Sequence, residues 1–242
     1  MQQTTHRNKA TGFLFLCGMG IMLLSFIASC GKGPNAAPSS ANIQFQVLNL
    51  SPDLLAVDLY IGLNKQNTNS FNYPIASGYF SLKTIDTPLQ IRSNFAAIST
   101  TNIITLDSVL KPNTKYSLFI TGSRISNTIK PIFTVDVTTP ATIGRGKIRF
   151  VNASPGANGN GLDITANGSV AFTNIQYTKV SDFIEVPPGT YDFKIMPTGT
   201  STVIYDLPNV SILDGKVFTL YSYGIYGGAD SVKFTSAVLS NK

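Results

Sequence analysis

Imidazole and thiol chemistry in this 242-residue chain is confined to its first thirty positions: the one histidine is His6, and the two cysteines are Cys17 and Cys30. Beyond them no Ser-His-Asp or Cys-His arrangement can be assembled, and zinc sites built on His or Cys are excluded. Carboxylate chemistry of the glycosidase kind needs two acids converging on one bond. The acids here are scattered singly, most at turns or on the polar side of alternating strands, as at Asp182, Asp192 and Asp214. The expectation is a protein that is not an enzyme and holds neither cofactor nor metal. The stretch "NGNGLD" sets Asn158, Asn160 and Asp163 in a glycine-rich loop, but it lacks the spacing and acid count of a calcium-binding EF-hand loop. A turn-rich hairpin connection accounts for it.

Three weaker patterns concern binding and modification. "TLYSYGIYGG" places Tyr221 and Tyr223 on one face of a strand, with Tyr226 just beyond in a glycine loop. Exposed, these rings would form a platform on which sugar rings stack; otherwise they fill the sandwich or cover its edge. "GRGKIR" gathers Arg145, Lys147 and Arg149, either a surface for anionic lipopolysaccharide or a solvated junction. Ser108 and Ser231 each sit in an Asp-Ser-Val triplet. That triplet resembles the short O-glycosylation motif of exported Bacteroidota proteins, and three residues also recur by chance.

Position explains why the reactive residues sit where they do. "MQQTTHRNKA" is polar and basic, and no charge follows until Lys32. The apolar stretch between them ends in small residues, the layout of a secretory signal. Ile27-Ala28-Ser29-Cys30 resembles the bacterial lipobox, which implies cleavage between Ser29 and Cys30 and lipid attachment at Cys30. The alternative is an uncleaved membrane anchor, since the span is long enough to cross a bilayer. Cleavage removes His6 and Cys17 and leaves one cysteine, so no disulfide can form within the mature chain. It also removes two of the 18 Lys+Arg and none of the 12 Asp+Glu, taking the net charge from +6 to +4. That mild basic bias gives no argument for nucleic acid.

The remaining sequence must supply its own scaffold. Residues 30–42 ("CGKGPNAAPSSAN") are small, polar and Pro-containing, as a flexible tether should be. Folded sequence begins at residue 43, and "TTPATIGRG" reads as an inter-domain linker over 139–146. On these bounds 1–29 is the signal, 43–138 a first domain and 147–242 a second. The two halves repeat. Asn49-Leu50-Ser51-Pro52 matches Asn152-Ala153-Ser154-Pro155 at an offset of 103 residues. "LKPNTKYSLFITG" falls on "ILDGKVFTLYSYG" at 102, with two further blocks in the same order. A tandem duplication follows.

Within the second copy, "TYDFKIM" alternates Tyr191, Phe193 and Ile195 with Asp192 and Lys194, a half-buried strand. Asn167-Gly168 is a type I′ hairpin signal. About seven short strands per copy, with turns every 8–12 residues, predict an all-β chain of two tandem immunoglobulin-like β-sandwiches. In the first copy "LKPNTKY" resembles the E–F corner of fibronectin type III domains, where a tyrosine hydroxyl returns to an upstream backbone group. Tyr116 would take that role. Phe218, its equivalent, can pack but cannot make that bond.

At "IRFVNASPG", "SDFIEVPPGTYDFKIMPTGT" and "LPNVSILDGKVFTLYSYG" the second copy resembles the family of domain of unknown function 4397, over roughly residues 147–224. That resemblance implies a β-sandwich in a secreted or lipid-anchored bacterial protein, often in tandem, in a setting similar to Bacteroidota surface lipoproteins. It carries no catalytic residues. The first copy departs, with "IDTPLQI" in place of the Pro-Gly turn and a longer "GLNKQNTNSFNYP" insertion after its second strand. The expected function is that of a non-enzymatic outer-membrane lipoprotein, held to the membrane through Cys30 and serving binding, adhesion or envelope organisation. The alternative is a glycan-binding accessory of polysaccharide uptake, resting on Tyr221, Tyr223 and Tyr226. Its partner would be a glycan or another envelope protein.

Overall fold

In strand β1 (Ile43–Asn49), Ile43, Phe45 and Val47 turn one way and Gln44, Gln46 and Leu48 the other, as a period-two strand requires. The computed structural model describes residues 42–83, 87–94, 101–136, 139, 141–155 and 161–241. The signal, Cys30 and the tether up to residue 41 lie outside the described residues.

The first copy continues with β2 (Val57–Ile61), β3 (Asn64–Lys65), β4 (Phe80–Leu82), β5 (Leu89–Ser93), β6 (Asn102–Leu106), β7 (Lys115–Thr121) and β8 (Lys130–Asp136). The second runs through β9 (Gly146–Asn152), β10 (Leu162–Ala166), β11 (Ser169–Ile175), β12 (Ile184–Val186) and β13 (Gly189–Pro197). It ends with β14 (Tyr205–Ile212), β15 (Val217–Tyr223), a 3₁₀ turn at Asp230–Val232 and β16 (Thr235–Ser240). Each copy therefore has eight strands among the described residues, one more than the turn spacing suggested.

The first copy's sheets have the orders β4-β1-β7-β8 and β3-β2-β5-β6; the second's are β12-β9-β15-β16 and β11-β10-β13-β14. Each order in the second copy is the first copy's order advanced by eight strands. In each copy the first strand joins the seventh in parallel, Gln46 opposite Ser117 and Arg149 opposite Thr219. The duplication read from spacing is thus a duplication of topology and register. Both copies are β-sandwiches: Phe45, Leu59 and Ile91 meet in one core, and Phe150, Ile164 and Phe193 in the other.

The local signals act as their chemistry dictates. Asn167 and Gly168 have φ of 49° and 79°, the left-handed pair that a type I′ turn requires. The Tyr116 hydroxyl accepts a hydrogen bond from the Lys111 backbone N–H at 2.8 Å, closing the expected corner, while Phe218 packs into the second core. Gly122 and Gly224 end β7 and β15 at positive φ, and a Cβ on either would lie 2.2 Å from a backbone oxygen of the returning chain. Only glycine fits there.

A third apolar cluster joins the copies. Leu48, Leu50, Phe119 and Ile132 pack with Val151, Ala153 and Tyr221, so the outer faces of the two parallel-paired sheets are buried against each other. The molecule is four sheets deep along this direction. Strands β1, β7, β9 and β15 are consequently buried on both faces. The expected linker is also tied down. Thr142 N–H donates to Glu185 at 3.2 Å and Gly144 N–H to Asp214 at 2.9 Å, both in the second copy.

Candidate functional site

The repeated N-x-S-P phrase forms the same turn twice. Asn49 Oδ1 accepts from Ser51 N–H at 3.3 Å while its Nδ2 donates to the Leu55 carbonyl at 2.8 Å. Asn152 does the same with Ser154 N–H at 3.1 Å and the Ile175 carbonyl at 2.8 Å. Both carboxamides are fully buried and replace strand pairing where the ladder ends. Leu50, Pro52 and Pro155 from these turns, with Gly122, Gly224, Ile225 and Val232, line a cleft of about 490 Å³ between the copies.

Asp53 anchors one wall of that cleft. Its carboxylate accepts from the Ser123 hydroxyl at 2.6 Å, from Arg124 and Ile125 N–H at 2.8 and 3.0 Å, and from Ser51. Burial alone would raise its pKa; these donors outweigh burial and hold it at about 2. Its carboxylate bonds to loop backbone and hydroxyls, and its carbonyl accepts from Arg124 Nε at 3.4 Å, so Asp53 is a fastener of the β7–β8 hairpin.

Below the cleft, between the sheets, lies a buried polar network. Arg149 pairs with Asp136 across the copy boundary, and both side chains are almost fully buried. Arg149 Nε also donates to Thr219 Oγ1 at 3.0 Å, and its guanidinium lies 4.8 Å from the Phe183 ring. Asp136 further accepts from Ser117, Thr134 and the Tyr79 hydroxyl, and Asn241 Nδ2 donates to Tyr79 at 3.0 Å. Burial first, and then the Asp136 carboxylate beside it, raise the Tyr79 pKa. Every ionised group in the network has a partner, as a buried ion pair requires.

This arrangement corrects one expectation and, of the two readings open for Tyr221, favours the packed one. Arg149 does not belong to a solvated basic junction: it is 3% exposed, and of the "GRGKIR" cations only Arg145 is exposed. Tyr221 does not join an exposed aromatic platform. It is 6% exposed, 5.9 Å from the Phe119 ring, and burial pushes its pKa up to about 12. Tyr223 stacks on Tyr221 and meets Tyr73 edge-on, while Tyr226 is exposed in the loop beyond. The three rings share no free face, because the sheet that carries the first two is covered by the other copy.

The remaining candidates are dispersed. Asp163 is occupied by Asn174 N–H at 2.7 Å, Thr198 Oγ1 at 2.8 Å and Gly199 N–H at 3.3 Å, while Asn158 and Asn160 lie outside the described residues. Ser108 is half-buried in the loop after β6, next to the exposed Val109. Ser231 falls in the 3₁₀ turn. Ser29 and Cys30, the cleavage and attachment residues, lie outside the described residues.

A second cleft, of about 460 Å³, was not foreseen as a site. Residues 66–77, from the insertion and the segment just after it, wall it on one side and β4 on the other. Its lining holds four carboxamides, four hydroxyls and four apolar side chains, and no charged group. The signal in the sequence was the amide-rich run "QNTNSFN".

A family model described as Domain of unknown function (DUF4397) matches the chain twice, over residues 43–159 and 156–239. No curated protein matches it. Among solved structures the chain is similar to the C-terminal domain of AlgF from P. aeruginosa, at 16% identity and a TM-score of 0.30, over 40% of this chain and 99% of that one. It is also similar to a leucine-rich repeat protein from Bacteroides thetaiotaomicron, at 14% identity and a TM-score of 0.20, over 74% of this chain and 25% of that one.

Proposed function

The chain belongs to the DUF4397 family, in two copies, and from that footing we propose that it is a non-enzymatic envelope lipoprotein whose paired sandwiches form one rigid binding or organising unit. The observation that carries the reading is the buried face between the copies, sealed by Leu48, Phe119, Val151 and Tyr221 and by the Arg149–Asp136 pair. Independent beads on a string would leave those sheet faces wet. Two docked sandwiches instead present their loops in one fixed arrangement relative to each other. The tether at 30–42 and the lipobox ending at Cys30 support attachment to the outer membrane through lipid on that cysteine. Several acyl chains hold a protein far better than one. The mature chain has no histidine and a single, acylated cysteine, which supports a role without catalysis.

Metabolic labelling with an alkyne fatty acid tests the attachment. The wild-type protein takes the label and fractionates with outer membrane, and Cys30→Ser loses the label and leaves that fraction. A wild-type chain that stays unlabelled, with its signal still attached by intact mass, overturns lipidation in favour of an uncleaved anchor. Protease shaving of intact cells then tells which side of the membrane the sandwiches face.

A further inference from the structure

We propose that the cleft between residues 66–77 and β4 of the first copy binds neutral carbohydrate. The inference goes beyond anchoring and display, and it is measured on the purified chain, so it stands or falls separately from them. The duplication isolates the feature. In the second copy, β10 and β11 are joined by the tight Asn167-Gly168 turn, and β11 runs for seven residues. In the first copy the corresponding strand β3 is only two residues long. The chain then leaves the sheet, and the departing loop creates the cleft where its twin has a strand.

The loop is fixed before any ligand arrives. Phe71 exchanges both backbone hydrogen bonds with Val57, at 2.8 and 3.1 Å. Asn67 is held from both ends, accepting from Leu59 N–H at 2.8 Å and donating to Asp58 at 2.9 Å. At the far end, Ser77 N–H donates to the Val47 carbonyl and its hydroxyl accepts from Val47 N–H, both at 2.9 Å. Phe71 and Phe80 stack 5.8 Å apart beneath the loop. A wall held in this way loses little freedom on binding, which favours affinity.

The lining selects the ligand. Carboxamides and hydroxyls offer donors and acceptors side by side, as a sugar hydroxyl needs, since it both gives and takes a hydrogen bond. With no charged side chain in the lining, an anionic or cationic ligand would be desolvated without compensation. Asp58, just behind the wall, is already neutralised by Lys65 at 2.9 Å. Thr68 and Asn69 are exposed in the lining, and their side chains have no hydrogen-bond partner among the described residues. Ile75, 63% exposed, supplies an apolar rim for the C–H face of a pyranose. An added peptide strand fits less well: the sheet edges nearby, β3 and β4, are only two and three residues long. The volume lies within the usual range for small-ligand clefts, about 300–1,000 Å³.

The test is calorimetric titration of the detergent-purified full chain with neutral oligosaccharides (glucans, xylans and mannans), followed by the Thr68→Ala/Asn69→Ala double variant. The proposal expects at least one neutral oligosaccharide to bind. It expects the double variant to weaken that binding about tenfold or more, as the loss of one or two hydrogen bonds predicts. Ser169→Ala, exposed on the second copy, leaves it unchanged, and all three proteins keep the same thermal midpoint. Binding that the double variant does not alter overturns the proposal. So does failure of every neutral sugar, and so does binding confined to acidic polysaccharides or to peptides.

Discussion

Arg149 and Gln46 stand at the same place in the two copies, and only one of them carries a charge. Gln46 lies opposite Ser117 in the parallel pair β1–β7 and donates to its hydroxyl at 2.7 Å. Arg149 lies opposite Thr219 in β9–β15 and donates to it at 3.0 Å. Arg149 is longer, and it continues across the boundary to Asp136. A symmetric pair of identical copies would bury two such ion pairs. Among the described residues one is buried, which leaves the two halves chemically distinct at their shared face.

Removing one partner of that pair leaves a charge in a dry site, so Arg149→Met should destabilise the chain by about 3–5 kcal/mol in chemical unfolding. Adding Asp136→Leu removes the stranded carboxylate and should recover part of the loss, since Ser117, Thr134 and Tyr79 then lose an acceptor. The coupling energy from the four-protein cycle is the measurement. If the two single losses simply add in the double variant, the residues do not act as a pair.

Tyr116 and Phe218 separate the corner hydrogen bond from the packing of its ring. Tyr116→Phe keeps the ring against Phe133, 5.3 Å away, and strips the acceptor from Lys111 N–H. The expected cost is about 1 kcal/mol, at the modest end because Lys111 is exposed and water can replace the lost partner. The second copy, which has Phe218 at that position, should keep its own unfolding transition wherever the two transitions can be resolved.

Asp53 sets an acid limit. Its pKa in the folded chain is about 2, against 3.8 for the free side chain. A depressed carboxylate adds stability that is complete above about pH 4 and is lost as the pH falls towards 2. Asp53→Asn should therefore be less stable than wild type at neutral pH, and the gap should narrow steadily between pH 4 and pH 2. A gap independent of pH across that interval would mean that the loop contacts of Asp53 do not depend on its charge.

Much of this fold was legible because its determinants are local. Alternation in β1 and β13, the Asn167-Gly168 turn, the Asn49 and Asn152 strand endings and the Tyr116 corner each depend on a few neighbouring residues. Contacts between the copies join whole sheet faces rather than chain neighbours, Arg149 with Asp136 and Tyr221 with Phe119, and there the solvated reading of Arg149 and the platform reading of Tyr221 failed. A strand's outward residue is solvated or buried according to what lies across from it, and spacing alone does not say. The signal that could have exposed the interface was the outward face itself. It turns apolar at matched places, Leu48 with Val151 and Phe119 with Tyr221. The first-copy cleft was visible as an amide-rich insertion, but its closure against β4 was not.

The interface between the copies should also show in how the tyrosines titrate. Burial, reinforced for Tyr221 by the neighbouring Tyr223, pushes its pKa to about 12, and burial with the Asp136 carboxylate raises Tyr79 as well. A phenol whose pKa is raised on folding contributes stability that is present below pH 10 and lost as pH climbs through the folded value. Near-ultraviolet phenolate absorbance should therefore rise in two stages among the ten tyrosines. Tyr79 and Tyr221, held between the sheets, ionise only as the copies part. Tyr79→Phe removes one late ionisation and also a donor to Asp136, so its second stage should begin at lower pH than in wild type. A single stage near pH 10 with the strand signal in circular dichroism intact would mean that Tyr79 and Tyr221 reach water without separation of the copies, and the sealed interface would be wrong.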